Sequence, residues 1–140
     1  MELVSPSFAE FQQLSDGWLL ARACRPLSEP EVTEVCEQLL VRALSSGSSC
    51  WLIDVRLDPG SKSLELNQWM WEEFLPRAAA ELCQPVYLAY VMSADHIARL
   101  RAQEPMGDTI LGAILLSARV RFFTAEADAL AWFSRCRPTP

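Results

Sequence analysis

Two short runs constrain the fold of this chain more than any other feature. Cys50-Trp51-Leu52-Ile53-Asp54-Val55 is apolar at consecutive positions until Asp54, and Pro85-Val86-Tyr87-Leu88-Ala89-Tyr90-Val91 is apolar almost throughout. Side chains on a strand point alternately to opposite faces, so such runs mark interior strands with both faces covered. A sheet covered on both sides needs helices, and the segments between the strands supply them. The chain has 140 residues, one domain's worth, and its hydrophobic fraction of 51% suits a large core.

The remaining elements fall in around those strands. Ser7–Gln13 alternates loosely around Phe8 and Phe11, and Ser15-Asp16-Gly17 then carries a strong reversal signal. Trp18–Cys24 reads as the second arm of a hairpin, with Trp18, Leu20 and Cys24 on one face and Leu19, Ala21 and Ala23 on the other. Ser28-Glu29-Pro30-Glu31 is a capping box, in which the Ser28 hydroxyl and the Glu31 carboxylate each satisfy an unpaired amide. The helix behind it places Val32, Val35, Cys36, Leu39 and Ala43 inward, and Ser45–Ser49 stops it.

Leu64–Cys83 is mostly helical, with a break or kink expected at Pro76. Ser93 caps a helix over Ala94–Gln103, which ends at Pro105-Met106-Gly107, and a further short helix covers about 109–117. Arg119–Phe123 is a strand with Val120 and Phe122 on one face. Thr124 caps a last helix whose inner face is Ala127, Leu130, Ala131 and Ser134. The order β-β-α-β-α-β-α(α)-β-α predicts an α/β fold: a mixed sheet of about five strands, largely parallel after the hairpin, with helices packed against it.

Composition argues against most common chemistries. The charge of -6 comes from 18 acidic and 12 basic residues, with Lys62 the only lysine. Such a chain repels phosphate backbones and anionic membrane surfaces, so nucleic-acid binding is not expected, and apolar stretches such as Val86–Met92 are too short for stable membrane insertion. The start, Met1-Glu2-Leu3-Val4-Ser5-Pro6, lacks the pattern of a signal peptide, and a cytoplasmic location is the expectation. The five cysteines, at 24, 36, 50, 83 and 136, have neither pairing nor zinc-ligand spacing and read as reduced, mostly buried hydrophobes. His96 is the only histidine and reads as an exposed helical residue outside any nucleophile motif. The five glycines build no phosphate cradle, and no cofactor is expected.

Three segments carry a family resemblance. Trp51-Leu52-Ile53-Asp54-Val55-Arg56 resembles the Trp-Leu-Leu-Asp-x-Arg stretch of small bacterial STAS-like proteins. Trp69-Met70-Trp71-Glu72-Glu73-Phe74-Leu75-Pro76-Arg77-Ala78 is similar to the helix that follows it there. The ending from Arg121-Phe122-Phe123-Thr124 to Ala129-Leu130-Ala131-Trp132-Phe133 resembles their closing strand and helix. The resemblance spans about Gly17 to Phe133. It implies a STAS-like fold, similar to SpoIIAA-like antagonists and related to the lipid-binding CRAL-TRIO architecture. It also implies a non-catalytic regulatory module that docks on partners, often under phosphorylation control.

One departure bears on that control. The turn Asp58-Pro59-Gly60-Ser61-Lys62-Ser63 does not keep the Asp-Ser-Ser/Thr-Gly tetrad that carries the phosphorylated serine in those antagonists. Ser63, nine residues after Asp54, stands about where that serine would fall. Ser61 and Ser63 are therefore candidates for a phosphorylation switch, with simple helix capping the leading reading.

Trp69 and Trp71 pose a separate question. On a regular helix they point ~200° apart, so both cannot face one sheet. Trp71 aligns with Leu64, Leu75, Ala78 and Leu82 as a core face, leaving Trp69, with Leu66 and Met70, as a candidate partner interface or self-association surface unless the Pro76 break buries it. Two binding functions follow: docking on a protein partner, or carriage of a small apolar ligand. An enzyme would need a cleft gathering His96 with a Cys or Asp.

Overall fold

The computed structural model describes residues 7–60, 62–102 and 118–136. Five strands form one sheet in the order β1-β2-β3-β4-β5: β1 (Ala9–Gln13), β2 (Leu19–Ala23), β3 (Cys50–Asp54), β4 (Val86–Val91) and β5 (Ala118–Phe123). β1 and β2 form the antiparallel hairpin, with Ala9 opposite Ala23 and Gln13 opposite Leu19. Every later pairing is parallel, as the α/β reading requires.

The helices are α1 (Glu29–Ser46), α2 (Leu64–Trp69), α3 (Leu75–Leu82), α4 (Ala94–Ala102) and α5 (Glu126–Cys136), and a π-helical turn (Met70–Phe74) joins α2 to α3. The helix expected over about 109–117 and the Pro105-Met106-Gly107 break lie outside the described residues. The capping box is formed: Ser28 Oγ accepts from Glu31 N, and the Glu31 carboxylate accepts from Ser28 N at 2.9 Å. Gly47 closes α1 in the left-handed conformation, φ 75°, its N–H donating to Ala43 O.

Strand alternation divides the core in two. Leu19, Ala21, Trp51, Ile53, Val86, Leu88, Ala118 and Val120 pack against α1, the π-helical turn and α3. Trp18, Leu20, Cys50, Leu52, Ala89 and Val91 pack against α5. Trp18 and Leu20 on one face and Leu19 and Ala21 on the other are as expected of β2, though Cys24 lies past its end and is exposed, and the inward residues of α1 are largely those expected, with Leu40 added.

Two helix faces differ from expectation. α5 buries Ala129, Trp132 and Phe133, whereas Ala127, Ala131 and Ser134 are exposed and Leu130 is half-buried. Ala129–Phe133 is apolar at five successive positions, so spacing alone does not choose a face; the two large rings do, Phe133 edge-on to Trp18 at 5.3 Å and Trp132 to Tyr87 at 6.1 Å.

The second difference lies in the Leu64–Cys83 helix. Pro76 has no N–H to give the Glu72 carbonyl, and its ring crowds that carbonyl. The chain widens there, with Leu75 N–H reaching back to Met70 O in an i→i+5 bond. The added residue rotates the inner face onto Met70, Phe74, Leu75 and Ala78, while Leu64 is 51% exposed and Trp71 only half-buried.

The cysteines also depart from expectation. None of the five is in a disulfide, but only Cys36 and Cys50 are buried, while Cys24 and Cys83 are exposed. Cys83 caps α3 with φ 58°, a left-handed conformation that costs a residue with a Cβ about 1–2 kcal/mol. Cys83→Gly should therefore stabilise the fold by about 1 kcal/mol. Urea unfolding checks this, and a loss of stability would show that the thiol contributes more than its backbone strain costs.

Candidate functional site

The helices on the α1 face do not close completely over the sheet. Between them lies a pocket of about 130 Å³. Its floor is apolar and comes from three neighbouring strands: Ile53 of β3, Tyr90 of β4 and Phe122 of β5, with the Tyr90 and Phe122 rings stacked at 5.4 Å. Val32, Val35 and Cys36 of α1 form one wall, and Leu66, Asn67, Met70 and Trp71 form another. His96, Arg99 and Leu100 bring α4 over the third side.

The turn after β3 supplies the charged rim. Asp58 is 3% exposed and accepts from Leu27 N at 3.0 Å and from Lys62 Nζ at 2.9 Å. Lys62 Nζ also donates to Leu27 O at 3.1 Å, so this knot ties the turn to the entry of α1. Arg99 donates to Pro59 O at 3.2 Å and links α4 to the same turn.

Two buried polar atoms of this pocket's lining residues have no partner: Trp71 Nε1 and His96 Nδ1. Buried polar atoms are nearly always paired, and leaving one unpaired costs about 1–3 kcal/mol. Other unpartnered atoms lie away from the pocket, on Gln38 and on Arg42, whose guanidinium stacks over Phe11 at 4.5 Å.

His96 is thus half-buried and part of a pocket, not the exposed helical residue the sequence implied. Burial, helped by the nearby Arg99, pushes its pKa below the ordinary imidazole value, so it is neutral at pH 7. The pocket does gather His96 with a cysteine and an aspartate, the arrangement an enzyme would need. Burial, with the Glu37 charge behind it, pushes the Cys36 thiol up to about 12, however, leaving it protonated and a poor nucleophile. Asp58 is engaged by Leu27 and Lys62. Among the described residues no group of His, Cys, Asp and Glu could hold a metal ion, and no helix is long and apolar enough to cross a membrane.

The candidate interface residues turn inward. Met70 is buried, 6% exposed; Leu66 is half-buried in the pocket wall; Trp69 is half-buried and stacked on Phe74 at 5.1 Å. The π-helical turn brings Trp69 and Phe74 together and leaves Trp69 half-buried. Pocket membership was the property that sequence reasoning missed for Leu66, Met70, Trp71 and His96. Its only trace was the crowding of two Trp residues beside Pro76.

Of the two candidate switch serines, Ser61 lies outside the described residues. Ser63 is the N-cap of α2: its Oγ accepts from Leu66 N at 3.1 Å and donates to Glu29 Oε1 at 2.8 Å, while its N–H donates to Glu29 Oε2 at 2.6 Å. A second charged cluster lies at the end of β3 on the opposite face. Asp54, 3% exposed, accepts from Arg22 Nε at 3.1 Å and Arg56 Nη2 at 2.6 Å, and Arg22 continues to Glu126 at the start of α5 at 3.0 Å. Its carboxylate is consumed by these bonds, which makes it a tie between sheet and helix.

Fold and site define a mixed α/β domain with a partly enclosed, mainly apolar pocket beneath its crossover helices. Comparison of the chain with protein-family models, with curated proteins and with solved structures finds no match.

Two predictions follow from these geometries. Ser63→Ala should cost about 1 kcal/mol through loss of the cap, and Ser63→Asp should cost more, because a second carboxylate would face Glu29; chemical unfolding of both variants checks the order. Acid should also destabilise the fold. Glu29 is held below its ordinary pKa by the Ser63 N–H and hydroxyl, and Glu31 is lowered to about 2 by Arg25 and Ser28. Burial pushes Asp54 up, but the hydrogen bonds from Arg56 and Arg22 outweigh it and leave it lowered. Folded values below unfolded ones mean stability that is complete above the ordinary carboxylate range and falls as pH drops from about 4. For Glu31 that loss runs on to about 2. A melting temperature flat between pH 5 and pH 2 would contradict this assignment.

Proposed function

We propose that this protein is a non-catalytic binding module whose working site is the pocket between α1, the π-helical turn and α4, and that it takes up a small, mainly apolar molecule. One observation carries the reading. Strands β3, β4 and β5, α1, the π-helical turn and α4 converge on this one pocket, whose floor of Ile53, Tyr90 and Phe122 is apolar and whose rim carries Asp58, Lys62 and Arg99. An apolar pocket with a few convergent polar groups is the general form of a small-molecule site.

The STAS-like resemblance, with its kinship to lipid-binding domains, supports a binding role without naming the ligand. The pocket also reorders the two binding functions read from the sequence. Docking on a protein through Leu66, Trp69 and Met70 ranks second, since Met70 is buried and Trp69 is half-buried on Phe74. The high thiol pKa of Cys36 argues for binding over covalent chemistry at the same place.

Native mass spectrometry of gently purified protein tests this reading. The expected result is an adduct that denaturation releases, and added ligand should raise the melting temperature. Bare protein whose melting temperature no small apolar compound shifts would end the proposal.

A further inference from the structure

Of the helical stretches described, α4 is the most lightly anchored, and it is the one that covers the third side of the pocket. Leu39 of α1, Phe74 of the π-helical turn and Phe133 of α5 are each fully buried and hold their elements to the sheet. No described side chain of α4 is buried: His96, Ile97 and Leu100 are half-buried and the others are exposed. Its tie to the turn after β3 is the bond from Arg99 to Pro59 O at 3.2 Å, between two exposed residues. An element with few buried apolar contacts and solvent-exposed hydrogen bonds opens at a lower free energy than the rest of a fold.

His96 sits in the middle of that light contact, and its Nδ1 is shut off from solvent with no partner. A neutral ring can leave this nitrogen unprotonated, whereas an imidazolium would bury an N–H there without an acceptor. The surrounding charges add to that cost. Lys62 from the turn and Arg99 from α4 itself repel a positive ring. Asp58 attracts it, but that carboxylate is already engaged by Leu27 N and Lys62 Nζ. α1 contributes Cys36 and β4 contributes Tyr90, both held neutral by burial. α2, the π-helical turn, β3 and β5 add no charged side chain to the lining. Closed over the pocket, α4 therefore favours the neutral ring, and once lifted it returns the ring to water and to an ordinary pKa of about 6.5.

We propose that α4 is an acid-released cover for this pocket: with His96 neutral it lies over the apolar floor, and formation of the imidazolium lifts it and opens that side. The sign follows from linkage. The closed form binds the proton less well than the open one, so closure is strongest above about pH 6.5 and weakens as pH falls below it. Carboxylates protonate only near pH 4, so the cover opens at about pH 5 to 6 while the sheet stays folded. Its role as a gate rests on the binding reading above, whereas the motion itself is measured without a ligand.

His96 is the only histidine, so the full chain gives a single imidazole signal to follow by NMR, and it should titrate below about 6.5. Amide hydrogen exchange, corrected for its intrinsic pH dependence, should show α4 losing protection by about threefold or more between pH 7.5 and pH 5 while β3 and β4 keep theirs. His96→Gln, uncharged throughout this range, should hold the α4 protection constant. Titration at or above about 6.5, α4 protection that is flat with pH, or an equal loss in α4 and the strands would each overturn the proposal. So would a His96→Gln protein that keeps the full pH dependence. The measurements on the unaltered chain decide the question even if His96→Gln folds poorly. A small-molecule adduct on a chain whose α4 ignores pH would remove the cover and leave the binding reading standing. A pH-dependent α4 on a chain that takes up no apolar molecule would support the motion and refute the binding reading instead.

Discussion

The parallel pairing of β2, β3, β4 and β5 in simple sequential order is the constraint on which the rest of this molecule depends. Parallel neighbours can be joined only by crossovers, and crossovers are right-handed. When every step advances in the same direction, that handedness sends each connecting helix to the same side of the sheet. α1, the α2–α3 helix and α4 therefore all lie over the face that carries Ile53, Tyr90 and Phe122. α5 follows the last strand, is not a crossover, and among the described helices is the one that covers the opposite face.

This asymmetry explains where a pocket can form. Among the described residues the α5 face has one helix to accommodate and fills with large rings, Trp18, Trp132 and Phe133 among them. The other face must seat several helices side by side, and their packing leaves a gap where α1, the π-helical turn and α4 converge. The sheet order has no reversal, so it offers no switch-point crevice of the kind that open α/β sheets use for ligands. The site lies instead under the crossover helices, near the carboxyl ends of the strands, and the charged turn after β3 forms its rim.

Much of this architecture was legible in the sequence because it rests on local rules. Cys50–Asp54 and Val86–Val91 declare themselves as interior strands through apolar runs, and Ser28 and Glu31 announce the start of α1 through a box that closes within four residues. Ser63 is likewise read correctly as a cap, since capping needs only the next few amides. What was not legible depends on distant volume. Ala129–Phe133 offers five apolar residues to a helix with one buried face, and the contacts of Trp132 and Phe133 with Tyr87 and Trp18 make the choice. His96 reads as a surface residue until the crossover carries α4 above β4 and lays its ring against the pocket.

The Leu64–Leu82 stretch shows how a single local conflict reaches the site. An ordinary helix through Pro76 would leave the Glu72 carbonyl without its partner and pressed against a ring. The wider turn at Met70–Phe74 resolves that conflict by adding one residue to the turn, and everything N-terminal to it rotates relative to α3. Met70 swings into the core, Trp69 comes to rest on Phe74, and Trp71 moves to the pocket wall with its indole nitrogen buried and unpaired. π-helical turns are frequent at functional sites, and here the physical connection is direct. The same irregularity that lays Trp69 against Phe74 brings Trp71 into the pocket wall, so the shape of the pocket and the partial burial of Trp69 have one cause.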